Sequence, residues 1–515
     1  MELAELVRAA GLTAEIRGEG ETPIAALAYD SRAAGPGALF FCVTGLRSDG
    51  HEHAPAAVEA GAAALVVERP LDLGVPEIEV ADARAAMAQL AAAFNGDPTA
   101  ELTMVGVTGT NGKTTTAFLI RDLLEAAGRS CGLLGTVRRV VGGEAEEVER
   151  TTPEAIDLQS TFARMLEAGD EACVMEVSSH ALVLHRADAI HFDAKVFTNL
   201  TQDHLDFHDD MEDYFEAKRL LFSAEGGAPA LVLEGGISVL NADDPYGRRL
   251  AEDLGHGEDG DCLTYSAAGA DADYSARGVI FDAKGSRFEC LTPHGHFDVI
   301  TPLPGHFNVE NALAALATAG ALGLDMPGAV RALASAGRVP GRFEPIDEGQ
   351  PFAVLVDYAH TPDSLENVLK AAREITERRV IAVFGCGGDR DREKRPLMGR
   401  AGVALSDLPV VTSDNPRSES PEAIIDEILA GIDGLAGGGG QVRTRDGDGG
   451  EVIVEPDRHE AIALAISRAE PGDTVVIAGK GHEQGQEFEG GRKVPFDDRD
   501  VAREELRALA AGAAR

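Results

Sequence analysis

A loop rich in glycine and threonine, with a single lysine, is the segment whose residue types are best suited to chemistry. Its residues are Gly109, Thr110, Asn111, Gly112, Lys113, Thr114 and Thr115. Apolar runs predict a strand at residues 102–107 before it and a helix from residue 114 to about residue 127 after it. Small residues let backbone N–H groups surround phosphate oxygens at the positive end of that helix, and Lys113 and Thr114 can reach phosphate and Mg²⁺. We therefore predict a nucleotide-binding loop here, with an ordinary turn as the alternative.

Three polar residues downstream of the loop could extend this site. Glu176 ends an apolar run, which places it at the carboxyl edge of the predicted sheet, where ligands bind in α/β proteins. A buried glutamate requires a compensating partner, so we expect a metal ion there, with an arginine as the alternative. His204 alone is weak evidence, but together with the loop and Glu176 it predicts a second metal site. Lys218 follows in a predicted helix, where an ordinary surface lysine is the alternative.

The composition excludes several classes of protein. The formal net charge of −41 over 515 residues argues against nucleic acid as a partner and against adsorption to anionic lipid. The 6 cysteines form no CxxC pair, so neither a disulfide framework nor a zinc site is indicated. The acidic start lacks the pattern of a signal peptide, and the Ala/Leu-rich stretch at residues 312–324 is too short to span a bilayer. We expect a reduced, soluble, intracellular protein.

The order of the predicted elements indicates three α/β domains, at residues 1–100, 101–337 and 338–515. Turn-forming clusters set the boundaries, Gly96-Asp97-Pro98 and Val339-Pro340-Gly341. Residues 62–67 predict a strand and residues 84–94 a helix. Strands and helices are expected to alternate to about residue 335, which predicts a mostly parallel sheet. Further buried strands are predicted at residues 353–357, 380–384, 408–411 and 474–478, and a flexible insertion at residues 434–450.

The loop at residues 109–115 resembles the ATP loop of the Mur ligase and folylpolyglutamate synthetase superfamily. The resemblance extends from Asp30-Ser31-Arg32 to Phe496-Asp497-Asp498-Arg499, and its order and spacing are most similar to the Mur ligases that add the third peptide residue. It implies an N-terminal UDP-binding α/β domain, a central P-loop ATPase-like domain with a mostly parallel sheet, and a C-terminal Rossmann-like domain.

The resemblance also implies a set of residues for each ligand. The ATP contacts implied are Gly109, Thr110, Asn111, Gly112, Lys113, Thr114, Thr115, Asn311, Arg342 and Asp357. Contacts to the UDP-linked sugar peptide are implied at Ser31, Thr151, Thr152, Ser178 and Arg186, with Tyr29, Leu46, Arg47 and Ser48 at neighbouring positions. Mg²⁺ is implied at Thr114, Glu176, His204 and Lys218, the last as a carbamate formed with CO₂, which turns a cation into a carboxylate-like ligand. At Asn308, near Asn311, a helix N-cap is the competing interpretation.

The last third of the chain carries the residues that determine which amino acid is added. The contacts implied for meso-diaminopimelate are Arg390, Asp414, Asn415, Pro416, Arg417, Gly479 and Glu483. Diaminopimelate differs from lysine by one carboxylate beside the distal amine. The planar fork of Arg417 can bind that carboxylate while Asp414 and Asn415 receive the ammonium. A buried arginine without a carboxylate to bind is costly, which disfavours lysine. For residues 414–417 alone, a turn is the alternative.

The function implied is that of an ATP-dependent amide ligase. The D-Glu γ-carboxylate of UDP-MurNAc-L-Ala-D-Glu becomes an acyl phosphate, which the amine of diaminopimelate then attacks. The catalytic residues implied are Lys113, Glu176, His204, Lys218 and Arg342. We expect a cytoplasmic monomer with ATP as co-substrate and Mg²⁺ as cofactor, and closure of the C-terminal domain. The alternatives are a lysine-adding ligase, a D-alanyl-D-alanine-adding or folate ligase, and a non-catalytic P-loop nucleotide-binding protein.

Overall fold

Three sheets, each flanked by helices, follow one another along the chain. The computed structural model describes residues 1–45, 48–146, 148, 150–222, 235–256, 261–282, 284–432, 441–442 and 450–513. Leu46, Arg47 and most of the insertion expected at residues 434–450 lie outside these ranges. None of the helices in the ranges described is both long and apolar enough to cross a membrane.

The N-terminal unit is a five-stranded sheet in the order β1-β5-β4-β3-β2, parallel except for the antiparallel pairing of β1 with β5. Its strands are β1 (Glu15–Arg17), β2 (Ala26–Ala28), β3 (Ala38–Phe41), β4 (Ala64–Val67) and β5 (Glu77–Glu79). Its helices are α1 (Leu3–Ala9), α2 (Ala54–Glu59) and α3 (Ala83–Phe94), with 3₁₀ turns at Gly50–His53 and Pro98–Ala100. The strand and the helix predicted for this unit are confirmed as β4 and α3.

The central unit is built on an eleven-stranded sheet. Its strands are β6 (Thr103–Thr108), β7 (Cys131–Leu134), β8 (Arg139–Val141), β9 (Glu144–Glu146), β10 (Ala172–Glu176), β11 (Ala194–Phe197), β12 (Ile237–Asn241), β13 (Cys262–Ser266), β14 (Tyr274–Asp282), β15 (Gly285–Thr292) and β16 (Gly295–Thr301). Its helices are α4 (Lys113–Ala126), α5 (Ala155–Ala168), α6 (Ser179–Val183), α7 (Met211–Arg219), α8 (Pro245–Asp253), α9 (His306–Ala321) and α10 (Met326–Leu333).

The central sheet is mostly parallel, as predicted, but both of its edges are antiparallel. The order is β16-β15-β14-β13-β12-β11-β6-β10-β7-β8-β9, and the strands from β14 to β7 pair in parallel. The strands β13 to β16 follow one another without a helix between them, so the expected alternation of strands and helices is wrong here. The antiparallel pairs β14–β15 and β15–β16 need only a short turn, whereas β13 and β14 pair in parallel at their adjoining ends, with residues 267–273 between them.

The C-terminal unit is a six-stranded sheet in the order β17-β18-β24-β19-β20-β23, parallel except for the pairing of β17 with β18. Its strands are β17 (Glu344–Pro345), β18 (Ala353–Asp357), β19 (Val380–Phe384), β20 (Leu408–Val411), β23 (Ile453–Val454) and β24 (Thr474–Ala478). Small pairs are formed by β21 (Gln441–Val442) with β22 (Gly450–Glu451), and by β25 (Gly485–Phe488) with β26 (Arg492–Pro495). The helices are α11 (Pro362–Glu374), α12 (Lys394–Leu405), α13 (Pro421–Leu429), α14 (Arg458–Arg468) and α15 (Asp498–Ala513), with a 3₁₀ turn at Glu489–Gly491.

Each sheet has a hydrophobic core on both faces. In the N-terminal sheet, Phe41 packs into one core and its neighbour Phe40 into the other. In the central sheet, Val105 and Met104 of β6 divide in the same way between two cores. Consecutive apolar residues on a strand point to opposite faces, so a doubly covered strand is a continuous apolar run. This arrangement leaves the carboxyl ends of the strands as the places where polar side chains can gather.

A fully buried ion pair joins the last two helices to the C-terminal sheet. Arg458 of α14 donates from Nε and Nη2 to the two carboxylate oxygens of Asp498, both at 2.7 Å, and both side chains are 0% exposed. The same guanidinium donates to two backbone carbonyls, that of Ala478, the last residue of β24, and that of Ser413, just after β20. The pair therefore fixes the loops that follow two parallel strands, β20 and β24, which lie on either side of β19.

Replacing Arg458 with methionine should strongly destabilise the C-terminal unit. The substitution leaves Asp498 buried without its partner, which costs about 3–5 kcal/mol. Thermal unfolding followed by near-UV circular dichroism should show a lower transition temperature for this unit. The control is Arg507→Met, because Arg507 forms its ion pair with Glu348 at the surface. Equal transition temperatures for the two variants would contradict the role given to the buried pair.

Candidate active site

The glycine–threonine loop lies between β6 and α4, as its sequence predicts. Gly109 has a φ of +142°, and a Cβ atom at this position would lie 1.9 Å from the Thr198 hydroxyl oxygen. Gly112 has a φ of +84°, and a Cβ there would lie 2.5 Å from the Asn311 side-chain oxygen. Larger residues would therefore clash at both positions and would be strained in the left-handed region. The two glycines allow the loop to turn tightly at the start of α4.

Two lysine side chains donate to the same carbonyl oxygen in this loop. The Lys113 Nζ atom lies 2.8 Å from the Gly109 carbonyl and 2.9 Å from that of Thr110. The Lys218 Nζ atom, on α7, lies 2.9 Å from the Gly109 carbonyl, and Lys218 is only 1% exposed. Burial, and then the charge of Lys113, lower the pKa of Lys218 well below its ordinary value. Lys218 is therefore not the surface lysine that the sequence left as an alternative.

Glu176 is the last residue of β10 and is 1% exposed, as its position in the sequence predicted. One carboxylate oxygen accepts from the Thr136 backbone N–H at 2.8 Å. The other accepts from the hydroxyls of Thr114 and Thr136, both at 3.0 Å. These partners are neutral threonine groups rather than an arginine. The carboxylate thus lies beside the first turn of α4, with a negative charge that its neighbours orient but do not neutralise.

The residues expected to contact the UDP-linked peptide form one continuous network with Glu176. The Thr151 hydroxyl lies 3.1 Å from that of Thr136, which also donates to Glu176. The Thr152 hydroxyl donates to the Glu176 backbone carbonyl at 3.0 Å and accepts from the Ser178 backbone N–H at 3.2 Å. The peptide site expected from the sequence is therefore directly adjacent to the phosphate loop.

A second carboxylate, that of Glu154, forms ion pairs with three arginines where the central unit meets the N-terminal unit. Arg84 of α3 lies 3.2 Å from it, Arg150 3.0 Å and Arg186 2.8 Å. Arg186 also donates to the Thr152 carbonyl. Three arginines therefore contact Glu154, and the carboxyl group of Asp157 lies close to both Glu154 and Arg150. Ser31, by contrast, lies in a turn of the N-terminal unit beside the exposed Asp30–Arg32 ion pair.

His204 lies in a strained turn beside an acidic neighbour. Its φ is +56°, which is uncommon for a residue with a side chain, and its ring lies 3.5 Å from the carboxylate of Asp203. Burial lowers the pKa of His204 to about 3, so its ring is neutral and carries a free lone pair. Within the described ranges, no three His, Cys, Asp or Glu side chains are close enough to hold a metal ion by themselves. Any metal ion here would need further ligands.

Three side-chain contacts join the C-terminal unit to the phosphate loop and to Asp203 beside it. Arg342 donates from Nη2 to the Thr114 hydroxyl at 2.9 Å, and its guanidinium stacks 4.5 Å over the Tyr358 ring. Asp363 of α11 accepts from the Asn111 amide at 3.0 Å. His360 lies 4.0 Å from the carboxylate of Asp203. The loop is therefore covered by a second unit of the same chain.

The polar side-chain atoms of Asp357 and Asn311 form hydrogen bonds with other groups of the protein. The two carboxylate oxygens of Asp357 accept from the backbone N–H groups of Phe343 and Ala359, both at 2.7 Å. Burial raises the pKa of Asp357 to about 6. Asn311 accepts from the Thr116 hydroxyl and donates to the Asn308 amide oxygen. Helix α9 is preceded by Gly305, so Asn308 lies inside its first turn and is not the N-cap.

The expected amino-acid pocket is assembled around a lysine that is 0% exposed. The Lys480 Nζ atom donates to the side-chain oxygens of Asn415 and Glu483, both at 2.9 Å. It lies 3.9 Å from Asp414, and Asn415 also donates to Glu483 at 2.9 Å. Burial alone would raise the pKa of Asp414, but Lys480 and Arg458 hold it below the ordinary value. Asp414 is therefore ionised and can receive an ammonium group.

Arg417 lies at the edge of the same pocket, but Arg390 does not join it. Arg417 has a φ of +51° and donates from Nε to Glu487 at 3.1 Å and from Nη1 to the Gly388 carbonyl at 2.8 Å. A Cβ atom at Gly479 would lie 2.8 Å from the Asp414 carboxylate, so this position has to be glycine. Arg390 is exposed and donates to the neighbouring Asp389 carbonyl. Arg417, at the end of the segment 414–417, forms an isolated parallel bridge with Phe488 of β25.

Several residues of the site were not identified from the sequence. They are Thr136, Glu154, Asp203, Arg458, Lys480 and Glu487. Thr136 follows β7, which is a parallel neighbour of β10, so the rule that ligands bind at strand carboxyl ends could have indicated it. Lys480 is within the segment that contains Gly479 and Glu483, but its type alone does not reveal that it is buried.

Comparisons with known proteins agree with this geometry. Three family models match: "Mur ligase family, catalytic domain" at residues 23–95, "Mur ligase middle domain" at residues 107–319, and "Mur ligase, glutamate ligase domain" at residues 341–481. A Geobacillus thermodenitrificans protein named UDP-N-acetylmuramoyl-L-alanyl-D-glutamate--2,6-diaminopimelate ligase is 48% identical over 484 residues, covering 94% of this chain and 95% of that protein. A Streptomyces coelicolor protein of the same name is 46% identical, covering 98% and 96%.

A solved structure with that same enzyme name matches at a TM-score of 0.68 and 32% identity, covering 99% of this chain and 100% of the other. The similarity in sequence and in structure thus spans all three sheets rather than the phosphate loop alone. This chain therefore belongs to the Mur ligase family.

Proposed function

We propose that this protein joins the D-Glu γ-carboxylate of UDP-MurNAc-L-Ala-D-Glu to meso-2,6-diaminopimelate in an ATP-dependent reaction of peptidoglycan precursor synthesis. The observation that carries the proposal is the pairing of opposite charges in one pocket, the Asp414 carboxylate and the Arg417 guanidinium. Diaminopimelate carries an ammonium and a carboxylate on the same distal carbon. The names of the relatives described above support the same substrate pair.

In the reaction, the γ-carboxylate attacks the γ-phosphorus of ATP, an O–P bond forms and ADP leaves. The amine of the incoming amino acid then attacks the acyl carbon, a C–N bond forms, phosphate leaves and the amine loses a proton. Lys113 contacts the Gly109 carbonyl and Arg342 the Thr114 hydroxyl, so both cations are at the loop, where they would offset the negative charges of the two reacting anions. Positioning three ligands between three units of one chain supplies much of the acceleration.

The residues at the loop fit Mg²⁺ bound to a nucleotide. The Thr114 hydroxyl and the Glu176 carboxylate are hard oxygen ligands in contact with each other, and Mg²⁺ completes its shell with water and phosphate oxygens. When bound, the ion would reduce repulsion between the carboxylate and the phosphates. A second site at His204 and Lys218 fits only if the lysine is carbamylated, because an ammonium group cannot be a ligand.

The domain boundaries that we infer are near residues 100 and 337, in the segments between the three sheets. The contacts described above assemble the three expected ligand sites without a residue from a second copy, and a monomer is part of our proposal. The 6 cysteines are buried free thiols, which supports a location in the reducing cytoplasm. The non-catalytic P-loop alternative does not account for the Asp414–Arg417 pocket, and the lysine-adding alternative would leave Arg417 with Glu487 of the protein, and no substrate carboxylate, as its ion-pair partner.

A product assay tests the proposed function. Purified protein is mixed with ATP, Mg²⁺, UDP-MurNAc-L-Ala-D-Glu and one amino acid at a time, and both phosphate release and the coupled product are measured. We expect product with meso-diaminopimelate and at least about 100-fold lower kcat/KM with L-lysine, because a site built to bind a charged group rejects an analogue without it. Equal activity with both amino acids would contradict the assignment.

Arg417→Ala should raise the KM for diaminopimelate about 10- to 100-fold, because a charge-assisted hydrogen-bonded pair contributes about 1.5–3 kcal/mol. The KM for ATP should change little, since the phosphate loop is on a different unit. Arg417→Lys is the matched variant, which keeps the charge but loses the planar fork and should be intermediate. Equal increases in both KM values would mean that Arg417 acts on the whole structure and not on the amino acid.

Lys218 should react with CO₂, because its lowered pKa favours the neutral amine that attacks CO₂. Enzyme prepared without CO₂ should have a reduced kcat that bicarbonate restores, and intact mass measurement should show one added CO₂. Lys218→Arg keeps the positive charge but cannot be carbamylated, so it should be nearly inactive and insensitive to bicarbonate. A wild-type kcat that is independent of bicarbonate would contradict this role.

A further inference from the structure

The ring of His360, in the segment between β18 and α11, presents one nitrogen that a ligand can reach. Its Nδ1 atom lies 2.8 Å from the Tyr358 backbone carbonyl oxygen, which only accepts hydrogen bonds, so Nδ1 carries the proton of the neutral ring. Nε2 therefore carries a lone pair. In the described part of the chain nothing hydrogen-bonds to Nε2, and the atom is accessible rather than buried. The whole side chain is 35% exposed.

Residues on both sides of His360 contact the phosphate loop directly. Asp363, three residues later, accepts a hydrogen bond at 3.0 Å from the side-chain amide of the loop. Tyr358, two residues earlier, packs its ring 4.5 Å from the guanidinium of Arg342, which donates to the Thr114 hydroxyl. These contacts place the His360 ring beside the loop at which the activated carboxyl is expected to form.

The same segment also packs against the part of the chain that forms the amino-acid pocket. A Cβ atom at Gly481 would lie 2.8 Å from the Tyr358 Cβ atom, and the ring of Tyr358 lies 4.7 Å from that of His360. Gly481 stands in the chain between Lys480 and Glu483, whose side chains are in contact within the expected pocket. His360 therefore lies between the site of the activated carboxyl and the site that receives the amine.

The charged groups around His360 suit it to accept a proton. Burial, and then the charge of Lys394 on α12, lower its pKa, whereas Asp203, the Tyr358 carbonyl and Asp414 act in the opposite direction. The ring is therefore neutral at neutral pH. The Asp203 carboxylate, 4.0 Å from Nε2, would stabilise the imidazolium that forms when the ring takes up a proton. None of these contacts is with a residue expected to bind Mg²⁺.

We propose that His360 is a catalytic residue, the general base whose Nε2 atom accepts a proton from the ammonium group of the incoming amino acid. The proposal rests on the proposed function, because it requires an amine that attacks an acyl phosphate. Loss of this proton leaves a neutral amine, whose electron pair forms the C–N bond to the acyl carbon. The acyl C–O bond then breaks, and phosphate leaves with its electron pair and takes up the second proton of the amine. The imidazolium returns its proton to water after product release.

The test compares His360→Gln and His360→Ala with wild type, and uses His296→Gln as the control. His296 is an exposed histidine on β16, at the edge of the central sheet, beside Glu289. For His360→Gln we expect a kcat about 100-fold lower, because a positioned general base contributes at least that factor. ADP formation in a single turnover without amino acid should keep the wild-type rate, since that step needs no base. Its amplitude reports the fraction of folded enzyme in each variant.

Two further measurements separate a base from a structural residue. Free imidazole should restore part of the kcat of His360→Ala and should not affect the control. The kcat of wild type should fall as the pH drops through the pKa of His360, because the protonated ring cannot accept a proton, and this fall should occur below the ordinary pKa range of histidine. In His360→Gln the acid limb should be replaced by a steady rise of kcat with pH.

Two results would overturn the proposal. Slower single-turnover ADP formation in His360→Gln would show that the ring acts on phosphoryl transfer rather than on the amine. An acid limb that persists in His360→Gln, together with no rescue of His360→Ala by imidazole, would show a structural role. Wild-type protein that forms no product with diaminopimelate would contradict the proposed function instead, so the two failures are distinguishable.

Discussion

Two lysine side chains share one acceptor, the carbonyl oxygen of Gly109, and the rest of the site is organised around these two basic groups. Lys113 and Lys218 both donate to it, from different helices. Burial and mutual repulsion lower the pKa of both lysines and favour the neutral amines, whereas the carboxylates of Asp203 and, for Lys113, Glu176 act in the opposite direction. In a protein with a net charge of −41, such a site attracts anionic ligands locally against a repulsive overall field.

The parts of the site that the sequence predicts are those encoded by consecutive residues. The phosphate loop needs a strand, small residues and a helix in series, and all three are visible between residues 102 and 127. Glu176 was predictable because it ends an apolar run and so has to lie at the strand's carboxyl edge. Its partner Thr136 was not identified, although it also follows a parallel strand, and the burial of Lys480 was not predictable, because its contact joins residues 65 positions apart.

Some strands of the fold were likewise predictable from the sequence and others were not. The strands β18, β19, β20 and β24 coincide with the apolar runs predicted for them, because strands buried on both faces are continuous apolar segments. The strands β14, β15 and β16 were missed because one face is exposed and their apolar residues alternate with polar ones. Ser31, Arg390 and the other expected substrate contacts remain predictions, since no bound substrate defines them.

The position of the C-terminal unit connects the two halves of the reaction. Two of its segments contact the phosphate loop, through Arg342 and Asp363, and His360, beside Asp363, lies near Asp203. His360 also interacts electrostatically with Asp203, near the phosphate loop, and with Asp414, in the amino-acid pocket. The residues expected to receive the amine belong to the same C-terminal unit as those that contact the phosphate loop. Docking of this unit therefore completes the phosphate site and the amino-acid pocket together. Formation of the activated carboxyl and its capture by the amine are thereby confined to the same closed arrangement, which protects the intermediate from water.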